Sequence, residues 1–207
     1  NGLAHVLLDE IWFGITASPE KSIEQAEHAT QRVMALNPDQ PPPYSLLSQI
    51  SLLKKDMDNA ILYGEKAIEL NPNNAGCYLT MGMVFRNAGR YEEAIKNLET
   101  ALQLAPLRPI VYVNNLAASY LGAKHYDKAI QLWNETIERN PDYLFAYLGL
   151  TAAYELSGNH EKASWAAENI LRLNPKFSLV ADEKASTAKD GVFKTTMFDA
   201  YRSAGLK

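Results

Sequence analysis

The sequence predicts an all-α solenoid of antiparallel helix pairs with a capping helix at its C-terminal end, and three observations point to it. Pro38, Pro72, Pro106, Pro141 and Pro175 are spaced by 34, 34, 35 and 34 residues, and four of them follow Asn37, Asn71, Asn140 and Asn174. Proline cannot continue a helix and pushes the preceding residue out of the α region, so each of these prolines ends one helical unit and opens the next. Within each period, apolar residues recur at helical spacing in two stripes with a short break between them. Finally, such a unit cannot bury its apolar face alone, and stacking on its neighbours is what gives it a core.

The unit from Ala75 to Pro106 shows the pattern most clearly. Tyr78, Met81, Gly82 and Phe85 share one face of a first helix, Asn87 to Arg90 form the break, and Ala94, Leu98 and Ala101 make the facing stripe of a second helix. Gly82 and Ala94 are read as facing each other, small enough for the two backbones to approach closely.

The first unit, about residues 1–40, is irregular. Leu7, Leu8, Ile11, Trp12 and Ile15 make one apolar face, Thr16 to Ser18 break it, and Pro19 opens a long second helix to about Leu36 with Ser18 as candidate cap and Glu20 near the positive end of the dipole. Glu10 stands where a large apolar residue is usual.

The second unit, 41–74, opens with Pro41, Pro42 and Pro43, carries Tyr44, Leu47, Ser48 and Ser51, turns at Lys54 to Asp56, and closes with Ala60, Gly64 and Ala67. Ser51 and Gly64 are small for their places, so this pair either packs loosely or admits a neighbour's side chain. The fourth unit, 109–143, follows a one-residue insertion around Leu107 to Pro109 and presents Val113, Leu116, Ala117, Tyr120, Ala129, Trp133 and Thr136. The fifth, 144–177, presents Tyr147, Leu150, Thr151, Tyr154, Gly158, Ala163, Ala167 and Ile170.

Residues 1–175 are thus read as five repeats and 176–207 as a linker and capping helix. Ala181 to Lys189 is either a weak helix or a surface loop. Asp190 is a candidate cap for a last helix with Phe193, Met197, Tyr201 and Ala204 on one face, Phe198 beside them and Gly205 as its stop. That helix either docks on the fifth repeat or folds back into the concave surface.

Several function classes are disfavoured. A formal net charge of −4 and a pI near 5.6 offer no basic stripe for nucleic acid. No run approaches the roughly 18 apolar residues of a membrane span. Cys77 has no second cysteine to pair with, reads as a small buried apolar residue, and leans the compartment to the cytoplasm. The four histidines are scattered, and no phosphate-cradling glycine loop, Gly-x-Ser-x-Gly elbow or His-Glu-x-x-His is present. The chain is expected to be no enzyme by itself, with no cofactor or metal. Asn1 already lies in a helical pattern, so the chain is expected to be a segment of a larger polypeptide.

On these residues the chain resembles the tetratricopeptide repeat family. The resemblance implies a right-handed superhelix whose first helices line a groove for a protein or peptide. By register, the groove-facing positions are Pro42, Ser45, Gln49 and Leu52; Gly76, Leu79, Met83 and Arg86; Val111, Asn114, Ala118 and Leu121; and Phe145, Leu148, Ala152 and Glu155. The lining is apolar with a few amides. Members that clamp a terminal carboxylate use Lys, Arg and Asn there, and here Arg86 stands alone, which disfavours that use. Asn114 and Asn115 either hold a ligand's main chain or bond neighbouring helices.

The ends carry a narrower resemblance. Ile11-Trp12-Phe13-Gly14, Ser18-Pro19-Glu20, Asn174-Pro175-Lys176-Phe177-Ser178-Leu179, Lys189-Asp190 and Ala204-Gly205-Leu206 look like the C-terminal repeat region of bacterial class III adenylate or guanylate cyclases, a region that also follows winged-helix regulators. The match departs at Val180 to Ala188. It implies a regulatory signalling module fused behind an upstream catalytic domain, with no catalytic residue in this chain. A free scaffold assembling several partners is the alternative, and self-association is left open.

Overall fold

The computed structural model describes residues 2–12, 15–36, 43–180 and 191–207. Their helices are α1 (Gly2–Trp12), α2 (Pro19–Leu36), α3 (Tyr44–Leu53), α4 (Met57–Leu70), α5 (Ala75–Asn87), α6 (Tyr91–Leu104), α7 (Ile110–Gly122), α8 (Tyr126–Arg139), α9 (Leu144–Leu156), α10 (His160–Leu173) and α11 (Gly191–Ser203). No strand occurs among the described residues. The readings placed on Phe13, Gly14, Asn37, Pro38, Pro41, Pro42, Ala181 to Lys189, Asp190 and the Phe193 side chain lie outside them.

The breaks between pairs share one construction. Asn71, Asn140 and Asn174 end their helices with N–H groups still donating to the carbonyls of Ala67, Thr136 and Ile170 at 3.1, 2.9 and 2.8 Å. Oδ1 of Asn140 and of Asn174 then accepts the N–H two residues on, at 3.3 and 3.2 Å, which carries the chain across the proline in a side-chain turn. The longer third break, before the fourth pair, is held differently. Arg108, at φ 47°, pairs with Glu135 at 3.1 Å, and the Arg139 guanidinium donates to the Arg108 carbonyl at 2.9 Å.

Within pairs two to five the turn is a left-handed C-cap. Asp56, Arg90, His125 and Asn159 donate their N–H groups to the carbonyls of Ser51, Phe85, Tyr120 and Tyr154, five residues back. The residue before each takes positive φ: Gly89 and Gly158 at 75° and 84°, but Lys55 and Lys124 at 63° and 62°. A side chain with a Cβ is strained there by about 1–2 kcal/mol, and glycine gives back roughly half of that gain in unfolded-state entropy. Lys124→Gly is therefore expected to stabilise the protein by about 0.5–1 kcal/mol, read as a higher denaturation midpoint at unchanged m-value.

Packing sets the curvature. The first helices of successive pairs rest on one another, α1 on α3, α3 on α5, α5 on α7 and α7 on α9, whereas successive second helices do not pack together to a comparable extent. The first helices accordingly line the inside of the curve and the second helices its outside. Apolar stripes interlock between pairs through notches at glycine, where a Cβ would overlap the neighbour: Gly64 receives Met81, Gly122 the Tyr91 ring, and Gly149 the Trp133 indole. Gly64 thus admits a neighbour's side chain, the second of the two readings given for that pair.

Two expectations about individual contacts are sharpened. The side chain nearest the place a Cβ would take at Gly82 is Leu98 of α6, and Ala94 is fully buried on the same helix. Gly82→Leu still has no room. It is expected to cost roughly 1–3 kcal/mol by overpacking, and a thermal melt matching the parent's would refute the notch. In the first pair, α1 ends at Trp12 and Ile15 lies outside it, 71% exposed. The chain has left the helix there, with Ile15 N–H bonded to the Glu10 carbonyl at 2.8 Å. The Thr16 hydroxyl organises the entry to α2, accepting from the Ser18 N–H at 3.2 Å and sharing a 3.0 Å bond with the Ser22 hydroxyl.

At the other end, α11 packs against α9. Phe198, Tyr201, Ala204 and Leu206 join the apolar cluster that holds Ala163, Ala167 and Ile170, and Met197 packs on its edge. Phe198, at 1% exposure, is the deepest of these, so the buried face centres one residue beyond the Met197 stripe. Gly205, at φ 99°, stops the helix as expected, with Leu206 N–H bonded to the Tyr201 carbonyl at 3.0 Å. The Leu179 N–H donates to the Lys207 carbonyl at 2.9 Å, tying the two ends of the terminal segment together.

Candidate partner-binding groove

The first helices α3, α5, α7 and α9 present the register positions to the concave side, and burial sorts them into two layers. Ser45, Gln49, Leu79, Arg86, Val111, Asn114 and Ala118 are half-buried, and Phe145 is 37% exposed. Leu52, Met83, Leu121, Leu148 and Ala152 lie beneath them in the packed layer, because neighbouring first helices stack over those positions. Leu148 and Ala152 are buried although their counterparts Asn114 and Ala118 are not, and they belong to the pair on which α11 rests. The accessible lining runs from Ser45 to Phe145.

The polar groups of this surface are mostly committed. The Ser45 hydroxyl lies 3.3 Å from the Thr80 hydroxyl, and the Gln49 amide donates to that same oxygen at 3.2 Å. Asn114 Oδ1 accepts from the Trp133 indole at 2.9 Å, an inter-helix bond. Asn115 differs from the groove assignment. It is buried, and its amide donates to the Val111 carbonyl of its own helix at 2.8 Å, since one residue along a helix turns a side chain by about 100° away from the concave face. Glu155 is held by His160 Nδ1 at 2.9 Å.

Arg86 is the exception. Its Nε is buried without an acceptor, and burial pulls the guanidinium below its ordinary pKa, with Tyr91 the one ionisable neighbour acting the other way. Trp12 Nε1 is the second buried donor without an acceptor among the described residues. Trp12 packs against the cluster that contains Leu52 and Met83. The sequence signal for both was present only as residue type, a donor-only side chain beside apolar neighbours.

Other groups form no reactive constellation. His125 pairs with Glu92 at 3.5 Å in a turn, and no cluster of His, Cys, Asp or Glu among the described residues is arranged to hold a metal. Cys77 is buried and its thiol is pushed up by that burial, which fits a packing role. No helix among the described residues is long and apolar enough to cross a membrane.

Three family models described as "Tetratricopeptide repeat" match residues 41–74, 74–139 and 114–176, the span in which the helix pairs above stack. The chain is a tetratricopeptide repeat protein. Tetratricopeptide repeats mediate protein–protein interaction.

Among curated proteins, this repeat chain is similar to anaphase-promoting complex subunit 7 of Homo sapiens, with 28% identity over 176 residues. That match takes in 84% of this chain and 31% of the relative, so the chain spans about a third of that protein's length. Among solved structures, PilW, a type IV pilus biogenesis factor, aligns over 99% of this chain and 94% of its own with a TM-score of 0.70 and 14% identity. The Cut9–Hcn1 hetero-tetramer of the APC/C aligns over 79% of this chain and 32% of its own with a TM-score of 0.70 and 20% identity. Both structural likenesses concern the fold.

Proposed function

We propose that this tetratricopeptide repeat chain binds a segment of a partner protein along the concave surface between Ser45 and Phe145. The observation that carries the reading is the row of half-buried or exposed apolar side chains, Leu79, Val111, Ala118 and Phe145, on the inner helices. Their shared face is wider than isolated surface residues would make, and the amides of Gln49 and Asn114 flank it. An extended or helical segment would bury this row while the amides fix its path.

The test must spare the packed layer, since a charge at Met83 or Leu148 would unfold the repeats along with the groove. A Val111→Glu, Phe145→Glu double variant is compared with the parent and with Lys96→Glu on the outer helix α6, where the side chain is exposed. Cross-linked partners from the native cell extract are expected to be lost from the groove variant and kept by the outer one. Equal retention by both would move the site off the concave face.

The narrower reading, a regulatory part of a cytoplasmic signalling protein fused behind a cyclase-like catalytic domain, rests on the end motifs around Trp12 and from Asn174 to Leu179. A scaffold role in a multi-subunit assembly draws support from a curated relative named as a complex subunit. The full open reading frame separates the two, because the first requires a cyclase or winged-helix domain upstream and the second does not.

A further inference from the structure

Arg and Trp side chains donate hydrogen bonds and accept none, so a buried Nε–H of either without an acceptor is an uncompensated cost to the empty protein. Here two such atoms occur in one region. Arg86 follows Met83 by one turn on the inner face of α5, and Trp12 packs on the cluster formed by Met83 and Leu52. Around Arg86 the same register position is Leu52 in the second pair and Leu121 in the fourth, both apolar and buried. No carboxylate of the chain pairs with the guanidinium among the described residues, and its terminal nitrogens carry neither ion pair nor hydrogen bond there while the residue stays partly open to solvent. Arg90, Arg108 and Arg172 pair with Glu93, Glu135 and Asp142, and Arg139 donates to the carbonyls of Arg108 and Leu107. The last-turn position of Arg86 in α5 complements the helix dipole, which accounts for a cation there but supplies no acceptor.

We infer that Arg86 is the anchor for a carboxylate side chain carried inside the partner segment, flanked in that segment by apolar residues that cover Leu79 and Val111. This rests on the groove reading above and adds the partner's chemistry to it. Charge complementarity selects the occupant: a planar guanidinium in an apolar setting is matched by a planar carboxylate with two acceptor oxygens. The rest of the accessible lining supplies no second cation for a chain terminus, so the acid belongs to an internal Asp or Glu.

The experiment selects a display library of random 12-residue peptides, each closed at its C-terminus by the display protein so that no free terminal carboxylate is offered, on the full chain. Enriched peptides are expected to carry one Asp or Glu between apolar residues. A synthetic amidated peptide of that kind should lose about tenfold or more in affinity on Arg86→Met, and a similar factor when its acid is changed to the amide, with the two losses far from additive. In the absence of peptide, Arg86→Met should melt at or above the parent's temperature, because it removes an unpaired buried donor. Enriched peptides without an acid, equal affinity for Arg86→Met, or a variant that melts lower would each overturn the anchor and leave the groove standing. Failure to enrich any peptide on the parent would overturn the groove reading and the anchor with it.

Discussion

Trp133→Ala is expected to cost about 3–5 kcal/mol, the range for truncating a large buried aromatic side chain. Trp133 is 2% exposed and projects from α8 onto the bare backbone of Gly149 in α9, so its indole fills the joint between the fourth and fifth pairs. Alanine there leaves a void bounded by backbone, which cannot collapse as a flexible side chain would. The indole N–H bond to Asn114 is lost as well, but Asn114 is half-buried and can turn to water, so cavity formation dominates. Since a repeat array is held by nearest-neighbour interfaces, the damage should be local. Denaturant unfolding followed by amide exchange should show α9, α10 and α11 losing protection before α3 to α6. A variant unfolding in one step within about 1 kcal/mol of the parent would show that the indole does not hold this joint.

Removal of Gly191 to Lys207 is expected to give a less stable protein that self-associates. Phe198, Tyr201 and Leu206 are buried in the large apolar cluster, and burial of each large side chain contributes about 1.5–3 kcal/mol before conformational entropy is subtracted. Deletion exposes the flank of α9 and the cluster around Ile170, a contiguous apolar face of the kind that drives association. The truncated chain should melt lower and show a mass that rises with concentration in light scattering. If α11 instead served as a competitor for the groove, the truncated protein would remain monomeric and bind partner peptides more tightly. A truncated form as stable and monodisperse as the parent would leave α11 without a capping role.

Much of this architecture is local and therefore legible in the sequence. A proline every 34 or 35 residues, preceded by Asn at Pro72, Pro141 and Pro175 and by Ala105 at Pro106, marks every break from Pro72 onward because the constraint acts within two residues, through the missing N–H and the restricted residue before it. The helical stripes of pairs two to five are buried or, at Tyr44, Leu47 and Tyr78, half-buried where the spacing places them, since periodicity alone decides which side chains share a face. The stop at Gly205 follows from the same kind of local rule.

What only the tertiary structure decided concerns which neighbour fills which space. That Leu98 sits on Gly82, that Met81 enters the notch at Gly64, and that Lys55 and Lys124 take the left-handed turn filled elsewhere by glycine all depend on where a second helix comes to rest. The groove shows the difference most sharply. Register assigned Leu52, Met83 and Leu121 to the same surface as Arg86, yet stacking of the inner helices buries those three and leaves Arg86 partly open with an unpaired Nε. A pattern along the chain states which way a side chain points from its own axis; the distance to the next helix, set by packing, determines whether it meets solvent, a neighbour or a partner.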